Sequence, residues 1–72
     1  MIKKERFVPD LIVNGELQNL DVKTVAELVE QLGFSGSFAT AVNETFVPQS
    51  QRSQTPLSDG DRVEVLAPME GG

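Results

Sequence analysis

The sequence predicts an α+β fold in which one main helix covers one face of a mixed sheet of about four to five strands. Three observations predict it. Asn14-Gly15 stands between two short runs with apolar residues at facing positions. A capped segment with apolar residues at helical spacing follows, and a run with period-2 alternation comes near the end. The chain has 72 residues, enough for one small domain and no second.

Asn-Gly readily places both central residues at positive φ, as a type I′ turn requires, so Leu11-Ile12-Val13 and Glu16-Leu17-Gln18 read as a hairpin with Ile12 opposite Leu17. Residues 1–8 are an extension before this strand, and Pro9 implies a break between the two. Thr24-Val25-Ala26-Glu27 fits a capping box: the Thr24 hydroxyl accepts from the Glu27 N–H, and the Glu27 side chain returns to the Thr24 N–H. Val25, Leu28, Val29 and Leu32 then form one apolar stripe, which predicts a helix over 24–32. Gly33 supplies the left-handed residue that ends it. Residues 38–42 alternate and read as a strand, Phe46-Val47 as a short one closed by Pro48, and the polar residues 49–56 as a surface loop. Asp59-Gly60 turns into a last strand over 62–67, with Val63 and Val65 inward and Arg62, Glu64 and Leu66 outward. Neither the hairpin nor the last strand can bury its apolar face alone, so the first and last strands are expected side by side under the helix. That arrangement is a β-grasp, expected over residues 9–68, with 69–72 as a flexible tail.

Composition removes whole classes of chemistry. With no Cys and no His, thiol catalysis, a Ser-His-Asp triad, a histidine base and a Cys/His zinc site are excluded, and no polar set forms an oriented acid–base pair. The formal charge is −5, and three of the six basic residues (Lys3, Lys4, Arg6) lie in the first six positions. Residues 7–72 hold three basic residues against ten acids, so that stretch carries −7. Such a balance argues against nucleic acid or an anionic membrane and favours a basic protein partner. Without a membrane-length apolar run or a signal-peptide pattern, the expected compartment is the cytoplasm.

The sequence finishes on Gly71-Gly72. At average glycine usage such a pair arises at a given place about once in 200 chains. Without Cβ atoms, this segment is slim enough for a narrow channel, and its free α-carboxylate can be activated as an acyl-adenylate and then captured by sulfur. On the dipeptide alone, a frayed end or a cloning scar is the plainer reading.

From about Leu11 to Gly72, the chain resembles the ThiS family of sulfur carriers in thiamine biosynthesis. The resemblance rests on Val13-Asn14-Gly15-Glu16, Thr24-Val25-Ala26-Glu27-Leu28, Ala41-Val42-Asn43, Phe46-Val47-Pro48, Asp59-Gly60-Asp61-Arg62-Val63-Glu64 and Gly71-Gly72, in that order. It implies a ubiquitin-like β-grasp whose Gly72 carboxylate is adenylated by a ThiF-like adenylyltransferase and converted to a thiocarboxylate. A ThiG-like thiazole synthase would then take the sulfur. The sulfur would come from a donor protein of the cysteine desulfurase or rhodanese type. ATP and Mg²⁺ would belong to the activating enzyme, with no cofactor bound by this chain, which would be a protein co-substrate and not a catalyst. Departures from the family pattern are Glu44, where Gly is common after the mid-chain Asn, and Gln49 and Arg52, where a basic residue and a Trp are common.

Met69 and Glu70 would line the partner's channel with Gly71, as recognition residues or as passive spacers. Leu66, Ala39 and Ala41, flanked by Arg62 and Glu64, form a candidate docking patch on the outer sheet face, although scattered exposed apolar residues are normal. Asp59, Asp61 and Glu64 read as a solvated turn, lacking the ligand count of a calcium loop. Rival readings keep the chemistry and change the acceptor: the small subunit of molybdopterin synthase, or a carrier for cysteine or tRNA thiolation. A rival of another class is a ubiquitin-like interaction or modifier domain without sulfur chemistry.

Overall fold

Asn14 (φ 50) and Gly15 (φ 84) both take the positive φ that the hairpin turn demands. A computed structural model describes residues 8–67, and in it this turn folds β1 (Asp10–Val13) onto β2 (Glu16–Asn19) with Ile12 opposite Leu17. Pro9 lies just before β1, and the backbone there still pairs, with the Leu20 N–H donating to the Pro9 carbonyl at 3.2 Å.

The helix α1 (Val25–Gln31) begins at Thr24, whose Oγ1 accepts from the Glu27 N–H at 3.2 Å. The reciprocal half of the expected box differs: Glu27 Oε1 accepts from the Lys23 N–H at 2.8 Å, not from Thr24. Thr24 has the extended backbone usual for an N-cap (φ −132, ψ 167) and forms a bridge with Pro56. The helix ends as glycine dictates. Gly33 (φ 84) donates to the Glu30 carbonyl at 3.1 Å, and the Phe34 N–H reaches the Val29 carbonyl at 3.0 Å. These two bonds form a Schellman closure that satisfies two otherwise orphaned carbonyls.

Three further strands, β3 (Ala39–Val42), β4 (Thr45–Val47) and β5 (Arg62–Leu66), complete a five-stranded sheet in the order β2-β1-β5-β3-β4. β1 and β5 lie side by side and parallel, and the remaining pairs are antiparallel. The last strand of the expected β-grasp thus lies beside its first, at the middle of the sheet. Val25, Leu28 and Val29 on the helix pack against Leu11, Val13, Val63 and Val65 on the central strands. Leu11, Val25, Leu28 and Val63 are fully buried, and each such side chain stabilises the fold by about 1.5–3 kcal/mol.

One stretch departs from the sequence expectation. Residues 49–56 are not an irregular loop: Gln49–Gln54 form a 3₁₀ helix, with the Gln51 N–H donating to the Pro48 carbonyl at 2.9 Å. Polar composition hid it because its one buried side chain is Arg52, a residue type that patterning places outside.

Candidate functional site

Antiparallel register puts directly paired residues on the same face, so the pairs decide which side chains share the open side of the sheet. Ala39 pairs with Leu66 and Ala41 with Glu64, while Thr40 pairs with buried Val65. Leu66, Ala39, Ala41, Arg62 and Glu64 therefore lie together on the face turned away from the helix, as expected. Leu66 is 64% exposed. Phe46 joins them and was missed: it pairs with Ala41 and is 63% exposed. A three-residue strand shows too little alternation to reveal its face from sequence. Leu17 and half-buried Ile12 extend the same face toward the far edge.

Arg62 reaches Glu44 at 3.4 Å across this face, and both side chains are well exposed, so the pair adds little stability. Glu44 sits at φ 72 and Asn43 at φ 50, so the second hairpin turn keeps the left-handed geometry without the glycine common in the family. For a residue with a Cβ that conformation costs roughly 1–2 kcal/mol. The two turn asparagines secure β5 from both sides. The Asn14 side chain accepts from the Val65 N–H at 2.8 Å and donates to the Val65 carbonyl at 3.2 Å. On the opposite flank, Asn43 Oδ1 accepts from the Arg62 N–H at 2.9 Å.

The acids of the last turn are occupied locally. Asp59 Oδ1 accepts from the Asp10 N–H at 2.7 Å, and Asp61 accepts from the Ser58 N–H at 2.8 Å and from Asn43 Nδ2 at 3.0 Å. These carboxylates cap the turn that aims β5. Among the described residues, no group of three His, Cys, Asp or Glu is placed to hold a metal.

Met69, Glu70, Gly71 and Gly72 lie outside the described residues. Their attachment point is visible: β5 ends at Leu66, and exposed Ala67 follows. Beside Leu66 a shallow groove of about 310 Å³ is lined by Ser37, Phe38, Ala39 and Gln49. Behind its Phe38 wall lies Arg52, 9% exposed, with its guanidinium 4.1 Å from the ring centroid. Its Nε donates to Thr40 Oγ1 at 3.2 Å and its terminal nitrogen to the Phe38 carbonyl at 2.6 Å.

A single-helix β-grasp with an apolar open face beside the end of its last strand defines the class of fold. Comparison with known proteins gives the class its particulars. The sequence profile of the ThiS family matches residues 11–72, and the chain belongs to that family. It is 39% identical over 61 residues to the sulfur carrier protein ThiS of Thermus thermophilus, covering 83% of this chain and 95% of the relative. A crystal structure of the thiamine biosynthesis protein ThiS from Geobacter metallireducens superposes with a TM-score of 0.72 at 29% identity, covering 88% of this chain and 99% of the other. A thiazole synthase of Paramagnetospirillum magneticum is 38% identical over 64 residues, which are 86% of this chain and 20% of that protein. The chain is thus a sulfur carrier of thiamine biosynthesis with the β-grasp fold. No helix among the described residues is long and apolar enough to cross a membrane.

Proposed function

We propose that the sulfur travels on the main-chain carboxylate of Gly72. A ThiF-like adenylyltransferase, using ATP and Mg²⁺, transfers AMP to that carboxylate and releases pyrophosphate. The outer sulfur of a persulfide on a cysteine desulfurase or rhodanese-type donor displaces AMP to give an acyl disulfide. A thiol then cleaves the S–S bond, leaving the thiocarboxylate and a disulfide on the donor side. Thiazole synthase is the acceptor. The observation that carries this reading is the family match, which runs through residue 72 and takes in Gly71-Gly72. Similarity to a fifth of a protein named thiazole synthase supports the choice of acceptor. The chemistry asks nothing of this chain's side chains beyond delivery, which agrees with a sequence lacking Cys and His.

Docking on the activating enzyme is assigned to the open sheet face, through Leu66, Ala39, Ala41 and Phe46 with Arg62 and Glu64 at the margin. Its support is the grouping of these residues beside the root of the tail. Met69, Glu70 and Gly71 then occupy the enzyme's channel. Intact-mass analysis after incubation with the activating enzyme, ATP and a sulfur donor tests the reading. One terminal oxygen should exchange for sulfur, and deletion of Gly72 should abolish the exchange. An unchanged mass with the full-length chain would refute it.

A further inference from the structure

Arg52 is a buried cation, and among the described residues no carboxylate pairs with it. Taking a guanidinium out of water without a counter-charge is expensive, and an apolar side chain of similar volume would fill the space at lower cost. What the guanidinium does that methionine or leucine cannot is bind three groups at once. Its planar fork holds the Phe38 carbonyl and the Thr40 hydroxyl while its face stacks on the Phe38 ring. Phe38 in turn meets Phe34, with ring centroids 5.7 Å apart, and Phe34 belongs to the helix closure. A column of Arg52, Phe38 and Phe34 therefore ties the 3₁₀ helix to the end of α1. The residue between the two anchored by Arg52 is Ala39, and Ala39 pairs with Leu66, the last residue of β5. Thr40 passes the restraint to β4 as well, its hydroxyl donating to the Val47 carbonyl at 2.9 Å.

We propose that Arg52 is a positioning residue for the carrier reaction: by locking residues 38–40 it fixes the root from which the reacting segment leaves the sheet. The claim rests on the reading that Gly72 is the reacting residue. Removing the fork leaves the docking face composed of the same side chains, so binding to the activating enzyme is retained. The terminal carboxylate is then delivered with its attachment point unfixed. Because small misplacements of a reacting group cost large factors in rate, kcat for thiocarboxylate formation in Arg52→Met should fall by about tenfold or more, with KM unchanged within about twofold.

Val22→Ala serves as the control, since it loosens the core before the start of α1, at the opposite end of the helix from this column. It should lower Tm at least as much as Arg52→Met and leave kcat unchanged. Phe38→Leu, which removes the ring and keeps the backbone carbonyl, should reproduce the kcat loss, and it decides the matter if Arg52→Met does not fold. Arg52→Lys, which keeps the charge and loses the fork, should also show a lowered kcat. A kcat that falls only in step with Tm across all variants, or a loss confined to KM, overturns the proposal. Hydrogen exchange on the isolated carrier gives a second readout that needs no partner. Amides of residues 38–40 and 64–67 should lose protection in the Arg52 and Phe38 variants while β1 keeps its own, and unchanged protection overturns the proposal too. Failure of the wild-type chain to gain sulfur sinks the Gly72 reading alone, and the exchange experiment still decides the role of Arg52.

Discussion

The helix-covered and open faces of the sheet are made by the same strands, yet alternate residues obey opposite constraints. On the covered face, Leu11, Val13, Val63 and Val65 are nearly inaccessible and interlock with α1. On the open face, Leu17, Phe46 and Leu66 remain more than 60% exposed, although each is as apolar as its buried neighbours. Stability is concentrated on the first face and surface for recognition on the second. Because the strands alternate, neighbouring positions such as Val65 and Leu66 serve different purposes, and single substitutions can separate the two.

The largest effect is expected on the covered face. Leu28→Ala should cost about 3 kcal/mol of unfolding free energy in urea titration, a large share of what a domain this small has. A loss below about 1 kcal/mol would mean that the helix is not the principal lid. Next comes the open face, where Leu66→Glu combined with Phe46→Ser should leave urea stability within about 0.5 kcal/mol per site. The same double variant should lower kcat/KM for thiocarboxylate formation by about 2 kcal/mol of transition-state free energy, chiefly through KM. A double variant that reacts normally would remove docking from this face.

A smaller effect tests the polar exception on the covered side. Thr40→Val keeps the shape but leaves the Val47 carbonyl without its donor and the Arg52 Nε without its acceptor, and should cost roughly 1–2 kcal/mol in thermal or urea unfolding. An unchanged midpoint would mean that water replaces both bonds. The smallest change is a gain. Glu44→Gly relieves the left-handed strain and gives up only an exposed ion pair, so the unfolding midpoint should rise by the equivalent of about 1 kcal/mol. If stability falls instead, the Glu44–Arg62 pair matters more than its exposure implies.

Local signals in the sequence reported local structure faithfully. Asn14-Gly15 specified the hairpin and its register, Thr24 and Gly33 bounded the helix, and the alternation at 62–67 told inward from outward in β5. The parity of residues 38–42 was not fixed by pattern, since polar Thr40 stands between two alanines, and it is the pairing of Thr40 with buried Val65 that turns Ala39 and Ala41 outward. The capping carboxylate was misplaced by one residue because the local pattern of 24–27 does not distinguish the Thr24 N–H from the neighbouring Lys23 N–H that Glu27 takes. Arg52 was hidden for another reason. A buried guanidinium is recognised only by the carbonyl, hydroxyl and ring that surround it, and two of those three groups belong to a residue 14 positions away. Phe46 could not be assigned a face until its partner Ala41 was known. Of the candidate site, the sequence exposed the outer patch and the glycine pair, whereas the support beneath them became visible only in three dimensions.

The central position of β5 has a consequence for how the molecule is made. β5 is the last described element in chain order, and it is also the strand that joins the β1–β2 hairpin to the β3–β4 hairpin. Its pairing with β1 links residues about 50 positions apart, so most of the loop-closure entropy must be overcome before the sheet exists. A nascent chain still lacking β5 can lay α1 on Leu11 and Val13 of the first hairpin but has no strand to join the second hairpin to it. The five-stranded sheet can therefore close only once residues 62–66 are free to pair, so a chain cut before them holds its two hairpins apart.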